Sequence, residues 1–100
     1  MIYLTSENNL KLDGLQCFYF YASWMPYHKK MVTMISKIEE KYNIVFTAID
    51  TDNFKALCKR FEIEEIPTVL ALKDGAKLKK IKGLVLTSAF KSAFADICNI

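Results

Sequence analysis

The chain has 100 residues, of which 52% are hydrophobic and 25% are charged, a mixture that excludes a disordered tail and a collagen-like repeat. We therefore expect a single domain over residues 1–100. The formal net charge of +3 is too small to predict nucleic-acid binding. The longest uncharged stretch, Gly14–His28, is shorter than the roughly 20 apolar residues of a membrane span, so no membrane partner is expected.

Three cysteines, Cys17, Cys58 and Cys98, are spread along the chain. An odd number cannot pair completely, and their spacing matches neither a zinc ribbon nor a small secreted disulfide framework. We therefore expect reduced thiols and a cytoplasmic location.

The first half of the sequence alternates predicted strands and helices. Ile2–Leu4 is a short candidate strand, and Leu15–Ala22 is an apolar run typical of a strand covered on both faces. After Pro26, which suits a first helical turn, apolar residues recur every three or four positions and predict a long amphipathic helix. Ile44–Asp50 indicates a second buried strand, and Asp52 is a candidate cap for the shorter helix that follows.

The second half is predicted to be a hairpin followed by a helix. Thr68–Lys73 and Ala76–Lys82 flank Asp74-Gly75, a dipeptide that favours a tight turn with positive φ at both positions. Phe90 and Phe94 belong to the inner stripe of a last helix. The resulting order of elements predicts an α/β fold with right-handed crossovers in its first half.

Three short segments then resemble the thioredoxin family in order and approximate spacing. They are Ala22–Trp24 followed by Lys29, Ile66–Thr68, and Lys73–Gly75. The resemblance covers nearly the whole chain. It implies a thioredoxin-like fold, with a central mixed β-sheet of four to five strands and helices on both faces.

The same resemblance places Met25 and His28 where the family carries its two redox cysteines. A thioether forms no thiolate, and an imidazole forms no disulfide. Tyr19 and Phe46 fall where the family carries a buried Asp and its Lys partner. We therefore expect no dithiol exchange at this segment, no catalytic residues there, and a protein that is not an enzyme.

Other roles for the same residues stay open. His28 is interpreted either as a structural or exposed histidine, or as a group that contacts peptide or senses pH. Metal binding by Met25 and His28 is disfavoured, because two ligands of mixed softness do not complete a site, and no cofactor is expected. Cys17 and Cys58 read as small buried hydrophobes, and Cys98 as an incidental thiol, rather than as substitutes for the missing pair.

Thioredoxin-like domains hold extended peptides in a shallow groove, and the resemblance carries this groove to seven positions. They are Trp24, Met25, Pro26, Tyr27, Ile66, Pro67 and Gly83. A cis peptide bond at Pro67 is expected, because Ile-Pro bonds have only a small trans preference. The alternative for the aromatic residues and Met25 is ordinary surface packing.

Lysines crowd the predicted hairpin, at positions 73, 77, 79, 80 and 82. Charged edge strands prevent edge-to-edge association, which is the favoured interpretation, and an acidic partner is the alternative. Nucleic-acid recognition is not predicted, since base-stacking aromatics are absent from this segment.

The leading hypothesis for function is a redox-inactive, cytoplasmic, monomeric binding or accessory module for a protein or extended peptide. The alternative is a thiol–disulfide oxidoreductase of the thioredoxin type, working weakly through a cysteine outside the motif or carrying altered active-site residues. A purely structural subunit is a third hypothesis.

Overall fold

The computed structural model describes residues 1–84 and 87–98 and contains one five-stranded sheet. Its strands are β1 (Ile2–Tyr3), β2 (Leu15–Tyr21), β3 (Phe46–Asp50), β4 (Thr68–Lys73) and β5 (Ala76–Lys82). The helices in the described part of the chain are α1 (His28–Tyr42), α2 (Lys55–Arg60) and α3 (Thr87–Cys98), with a 3-10 turn at Glu7–Asn9.

The sheet is mixed, with the strand order β1-β3-β2-β4-β5. β1, β3 and β2 are parallel, β4 runs antiparallel to β2, and β5 runs antiparallel to β4. Parallel neighbours need crossover connections, and α1 supplies the one between β2 and β3. The expected α/β class and mixed sheet are confirmed.

The two faces of β2 enter two separate hydrophobic clusters. Cys17 and Tyr19 pack with residues of α1 and α3, whereas Phe18 and Phe20 pack with α2, whose Leu57 is buried there. Successive residues of a strand point to opposite faces, so a strand apolar at every position is covered on both sides. Helices therefore cover both faces of the sheet.

Two local expectations from the sequence are wrong. The long helix begins at His28 instead of in the turn that contains Pro26. Asp52 does not cap α2, whose N-cap residue is Phe54. The reason is a local turn, in which the backbone N–H of Asp52 donates to Asp50 Oδ1 at 2.9 Å and that of Phe54 donates to the Asp50 carbonyl at 3.0 Å.

The hairpin between β4 and β5 turns at Asp74 and Gly75, with φ of 49° and 84°. Both positive values suit the Asp-Gly dipeptide. The turn is tied to Gly14, whose N–H donates to Asp74 Oδ1 at 2.7 Å and whose carbonyl accepts from the Asp74 N–H at 2.9 Å.

Candidate functional site

Two successive turns connect β2 to α1. The N–H of Met25 donates to the Ala22 carbonyl at 3.0 Å, and the N–H of His28 donates to the Met25 carbonyl at 3.2 Å. These turns direct the Met25 side chain into the core, where it is 6% exposed. Trp24 and Tyr27 are 69% and 50% exposed. The surface of this segment is therefore aromatic.

Trp24 is held by a contact across the loops. Its Nε1–H donates to Asp52 Oδ2 at 3.1 Å. Asp52 lies in the turn after β3, so the indole is oriented toward the start of α2. Pro26, between the two exposed aromatic residues, is also exposed.

The loop before β4 contains a cis peptide bond between Ile66 and Pro67. Ile66 is half-buried and Pro67 is buried. The Thr68 hydroxyl donates to the Glu65 carbonyl at 2.7 Å, and the N–H of Gly83 donates to the Pro67 carbonyl at 2.7 Å. The loop is thus tied to the end of β5.

Strand register brings these segments to one end of the sheet. Phe20 pairs with Thr68, and Thr68 pairs with Lys82, so the end of β2, the start of β4 and the end of β5 are neighbours. Of the seven positions expected to form the groove, Pro67 and Gly83 directly adjoin these paired residues in the chain, and Ile66 precedes Pro67. The other four, Trp24, Met25, Pro26 and Tyr27, lie in the connection between β2 and α1. Met25 differs from the others of its segment, because its side chain points inward.

A stacked aromatic cluster lies beneath the start of α1. Tyr19 Oη lies 2.9 Å from His28 Nδ1, within hydrogen-bonding distance. The Tyr21 ring is stacked on both the His28 and Tyr19 rings, with centroid distances of 4.6 Å and 5.4 Å. Tyr3 meets Tyr21 edge-on at 5.9 Å. Sequence reasoning missed this cluster, although tyrosines at alternate positions of one strand share a face and could have indicated it.

Burial decides the ionisation of the tyrosines. It raises the pKa of Tyr19 far above its ordinary value, with smaller contributions from Tyr3 and Tyr21. It also raises the pKa of Tyr21, with Asp50 and Tyr3 contributing. Tyr19 is therefore a neutral phenol at physiological pH, and its hydroxyl is the group that contacts His28 Nδ1.

Cys17 and Cys58 differ in solvent exposure. Cys17 is buried in β2 at 3% exposure. Cys58 is half-buried on α2 and lines a cavity of about 260 Å³ that extends to Ile66. Burial, followed by Asp50 and Asp52, raises the pKa of the Cys58 thiol. The side chain of Cys98 lies outside the described part of the structure.

Among the described residues, no group of three or more His, Cys, Asp or Glu side chains is arranged to hold a metal ion. No helix in residues 1–84 and 87–98 is long and apolar enough to cross a membrane.

Comparison with known proteins shows the family. The thioredoxin family model matches residues 6–96. The chain is 32% identical to Thioredoxin-1 of Saccharomyces cerevisiae over 90 residues, which cover 89% of this chain and 86% of that protein. It is 31% identical to Thioredoxin H5 of Arabidopsis thaliana over 65 residues, or 64% of this chain and 55% of that protein. The chain belongs to the thioredoxin family.

A solved structure shares the fold. The oxidised thioredoxin of Plasmodium falciparum superposes with a TM-score of 0.86 at 20% identity, over 97% of each chain. This agreement covers the sheet and the helices on both faces, and it confirms the thioredoxin fold expected from the sequence.

The expectation that the chain is not an enzyme is wrong. The relatives and structural neighbours that it matches are thioredoxins, which are disulfide oxidoreductases. That expectation rested on Met25 and His28, which stand where the family carries its redox cysteines. The comparisons instead tie the chain to a redox family, although Met-Pro-Tyr-His occupies residues 25–28.

Proposed function

We propose that this chain is a thiol–disulfide oxidoreductase of the thioredoxin type that works through a cysteine outside the segment from Met25 to His28. The observation that carries the proposal is the family match over residues 6–96, since the matched relatives are thioredoxins. Neither Met25 nor His28 has a sulfur that forms a disulfide. The reacting thiol must therefore be supplied elsewhere.

Of the two cysteines whose side chains the structure describes, Cys58 is better suited to this role than Cys17. It is half-buried and lines a cavity that extends to Ile66, whereas Cys17 is enclosed in the central strand. Ile66 precedes Pro67 in the loop before β4, and it packs against the hydrophobic cluster that contains Met25. A substrate segment bound near this loop has a route to the Cys58 sulfur.

The exchange reaction follows from thiolate chemistry. The Cys58 thiolate attacks one sulfur of a substrate disulfide, the S–S bond breaks, and the other sulfur leaves as a thiolate that takes a proton from solvent. A dithiol reductant then attacks the Cys58 sulfur and releases the second substrate thiolate. The reductant's remaining thiol displaces Cys58 and closes a cyclic disulfide, so the two electrons come from the reductant.

The raised pKa of the Cys58 thiol determines the expected rate of thiol–disulfide exchange. Burial, Asp50 and Asp52 all favour the protonated thiol, so the thiolate fraction is small at neutral pH. We expect a slow reaction that accelerates as the pH rises through and above the ordinary thiol range near 8.5.

The substrate surface is proposed to be the exposed part of the groove positions. Trp24 and Tyr27 offer wide aromatic surfaces at its edge, and the loop at Ile66 and Pro67 offers backbone groups to an extended segment. The hydrogen bond from Trp24 to Asp52 supports this assignment, because a held indole loses less conformational freedom on binding. We further propose a reducing, cytoplasmic location, where Cys58 stays available as a thiol.

The first experiment measures the reduction of insulin disulfides by dithiothreitol, with and without the protein. We expect turnover above the dithiothreitol control, rising with pH, and its loss in Cys58→Ser. Cys17→Ser is the matched control with the same chemical change at a buried site, and its rate per folded molecule should equal that of the wild type. Absence of turnover in the wild type, or full activity in Cys58→Ser, would refute the proposal.

A second experiment tests the binding surface apart from the chemistry. A fluorescent extended peptide that contains a disulfide is titrated with the Cys58→Ser variant, which should bind without exchange. Adding Trp24→Ala to this variant should weaken binding by about tenfold, a typical effect of losing an aromatic anchor. Val45→Ala, at an exposed residue on another part of the surface, is the control.

A further inference from the structure

β5 is an edge strand of the sheet. In the part of the chain that the structure describes, it pairs with β4 along one side and with no strand along the other. An edge strand presents a row of backbone N–H and C=O groups to which another extended segment can pair. Most of β5 is exposed.

The lysines of β5 are concentrated on one face. Lys77 pairs with Leu72, Lys80 with Leu70, and Lys82 with Thr68. Directly paired residues of an antiparallel ladder share a face, and Leu70 and Leu72 both pack toward α2. The three lysines therefore lie on the α2 face of the edge, whereas Lys79, paired with Ala71, lies on the other face. Lys77 and Lys79 differ in face although they are two residues apart, because a register shift between Ala71 and Leu72 makes Leu78 an extra residue in β5 and interrupts the alternation.

A cavity of about 250 Å³ adjoins the same face. Its floor is apolar and its rim is mainly basic, and its lining includes Arg60, Phe61, Glu62, Leu70, Leu72, Lys77 and Lys80. The Arg60 guanidinium lies over the Phe61 ring at 5.2 Å. Lys80 Nζ donates to the Phe61 and Glu62 carbonyls at 3.0 Å and 2.9 Å, which holds its charge at the rim.

We propose that β5 binds an extended acidic segment of a partner protein, which adds to the sheet as a sixth strand. Its carboxylates face Lys77, Lys80 and Lys82, and one apolar side chain enters the cavity over Phe61. Charge complementarity identifies the partner, because an acidic strand gains cross-strand ion pairs on this face and a basic strand is repelled. Lys77 is at the hairpin end of β5, away from Gly83, whereas Lys82 directly precedes Gly83. This surface therefore extends along β5 away from the substrate surface and adjoins it at Lys82.

Protection against edge-to-edge association is the other explanation for these lysines. It needs only charge along the edge, so Lys79 would serve as well as Lys77. If an acidic strand docks on the α2 face, Lys77 contributes more to its binding than Lys79 does, since Lys79 lies on the opposite face.

The experiment titrates a fluorescent peptide of about ten residues, with alternating Glu and Val, into the protein and its variants. Two further peptides are controls: one with Lys in place of Glu, and one with alternate backbone nitrogens methylated. We expect the acidic peptide to bind and both controls to fail. Lys77→Glu should weaken binding by about fivefold, and the matched change Lys79→Glu by less than about twofold. Affinity should fall with added salt, because exposed ion pairs are screened.

Several results would overturn the proposal. Equal losses in Lys77→Glu and Lys79→Glu, or self-association of these variants with no peptide binding in the wild type, would assign the lysines to protection of the edge. Binding of the methylated peptide would exclude strand addition. If a single-stranded oligonucleotide displaced the acidic peptide as well as unlabelled peptide does, the binding would be a general attraction of polyanions to the lysines. Because insulin turnover depends on Cys58 and not on Lys77, failure here would leave the proposed oxidoreductase function intact.

Discussion

Tyr19 and His28 are a coupled pair at the scale of single residues. The thioredoxin resemblance puts them where the family has a buried Asp and its second redox Cys, and the structure joins them at 2.9 Å. A neutral phenol beside an imidazole avoids the desolvation cost that a buried carboxylate would carry. The two residues that depart from the family pattern, Tyr19 and His28, are therefore in contact with each other.

Tyr19→Phe should lower the free energy of unfolding by about 1 kcal/mol. The change keeps the stacked ring but removes the hydrogen bond to His28, leaving a half-buried ring nitrogen without that partner. Urea unfolding measures the difference. Tyr27→Phe, at an exposed ring, is the control and should leave stability unchanged. An unfolding midpoint for Tyr19→Phe equal to that of the wild type would show that the bond contributes nothing.

Stability should also fall at high pH because of Tyr19. Its pKa is raised in the folded protein, mainly by burial, above the value near 10 of an unfolded chain. Below about pH 10 both states are protonated and this contribution to stability is complete; above it the unfolded state loses its proton first, so stability declines. Urea unfolding between about pH 8 and pH 11 should show a shallower decline for Tyr19→Phe than for the wild type. Identical slopes would contradict this assignment; Tyr21, whose pKa is also raised, accounts for part of the remaining slope.

At the scale of elements, the β4–β5 turn depends on backbone conformation. Gly75 has φ of 84°, and a Cβ built on it would meet nothing within 4 Å. Gly75→Ala should therefore destabilise the protein by about 1 kcal/mol through the left-handed backbone alone. Gly75→Asn should cost less, because Asn tolerates this region better than Ala. Thermal or urea unfolding distinguishes them, and equal losses for Ala and Asn would mean that another effect dominates.

At the scale of the whole molecule, the thioredoxin scaffold should accept a restored dithiol. Position 28 begins α1 and position 25 lies just before it, where the helix N-terminus lowers a thiol pKa. Met25→Cys/His28→Cys should oxidise to an internal disulfide and raise insulin reduction by about tenfold or more over the unmodified chain. Tyr19 and Phe46 do not supply the family's Asp and Lys pair, so the rate should remain below that of a relative such as Thioredoxin-1.

Met25→Ser/His28→Ser is the control for the double cysteine variant, since it loses the contact of His28 with Tyr19 without gaining a thiol. Its insulin reduction should match that of the unmodified chain. If the two introduced thiols fail to pair, positions 25 and 28 do not correspond to the family's cysteines.

Most elements of the fold could be predicted from local sequence patterns. The apolar run that became Leu15–Tyr21 and the Asp74-Gly75 turn are encoded by neighbouring residues, so periodicity and turn chemistry identify them. The predicted starts of α1 and α2 were less accurate, because a turn precedes each helix at Pro26 and Asp52. The family itself was visible in three short motifs.

The sequence by itself thus determined the strands, the hairpin, the family resemblance and the absence of thiols at positions 25 and 28. Only the tertiary structure decided that Met25 points inward, that His28 contacts Tyr19, and that Cys58 opens on a cavity reaching Ile66. These contacts join residues from different elements, and no local periodicity encodes them. Packing of the helices against both faces of the sheet selects them, because each side chain takes the position that the surrounding core leaves for it.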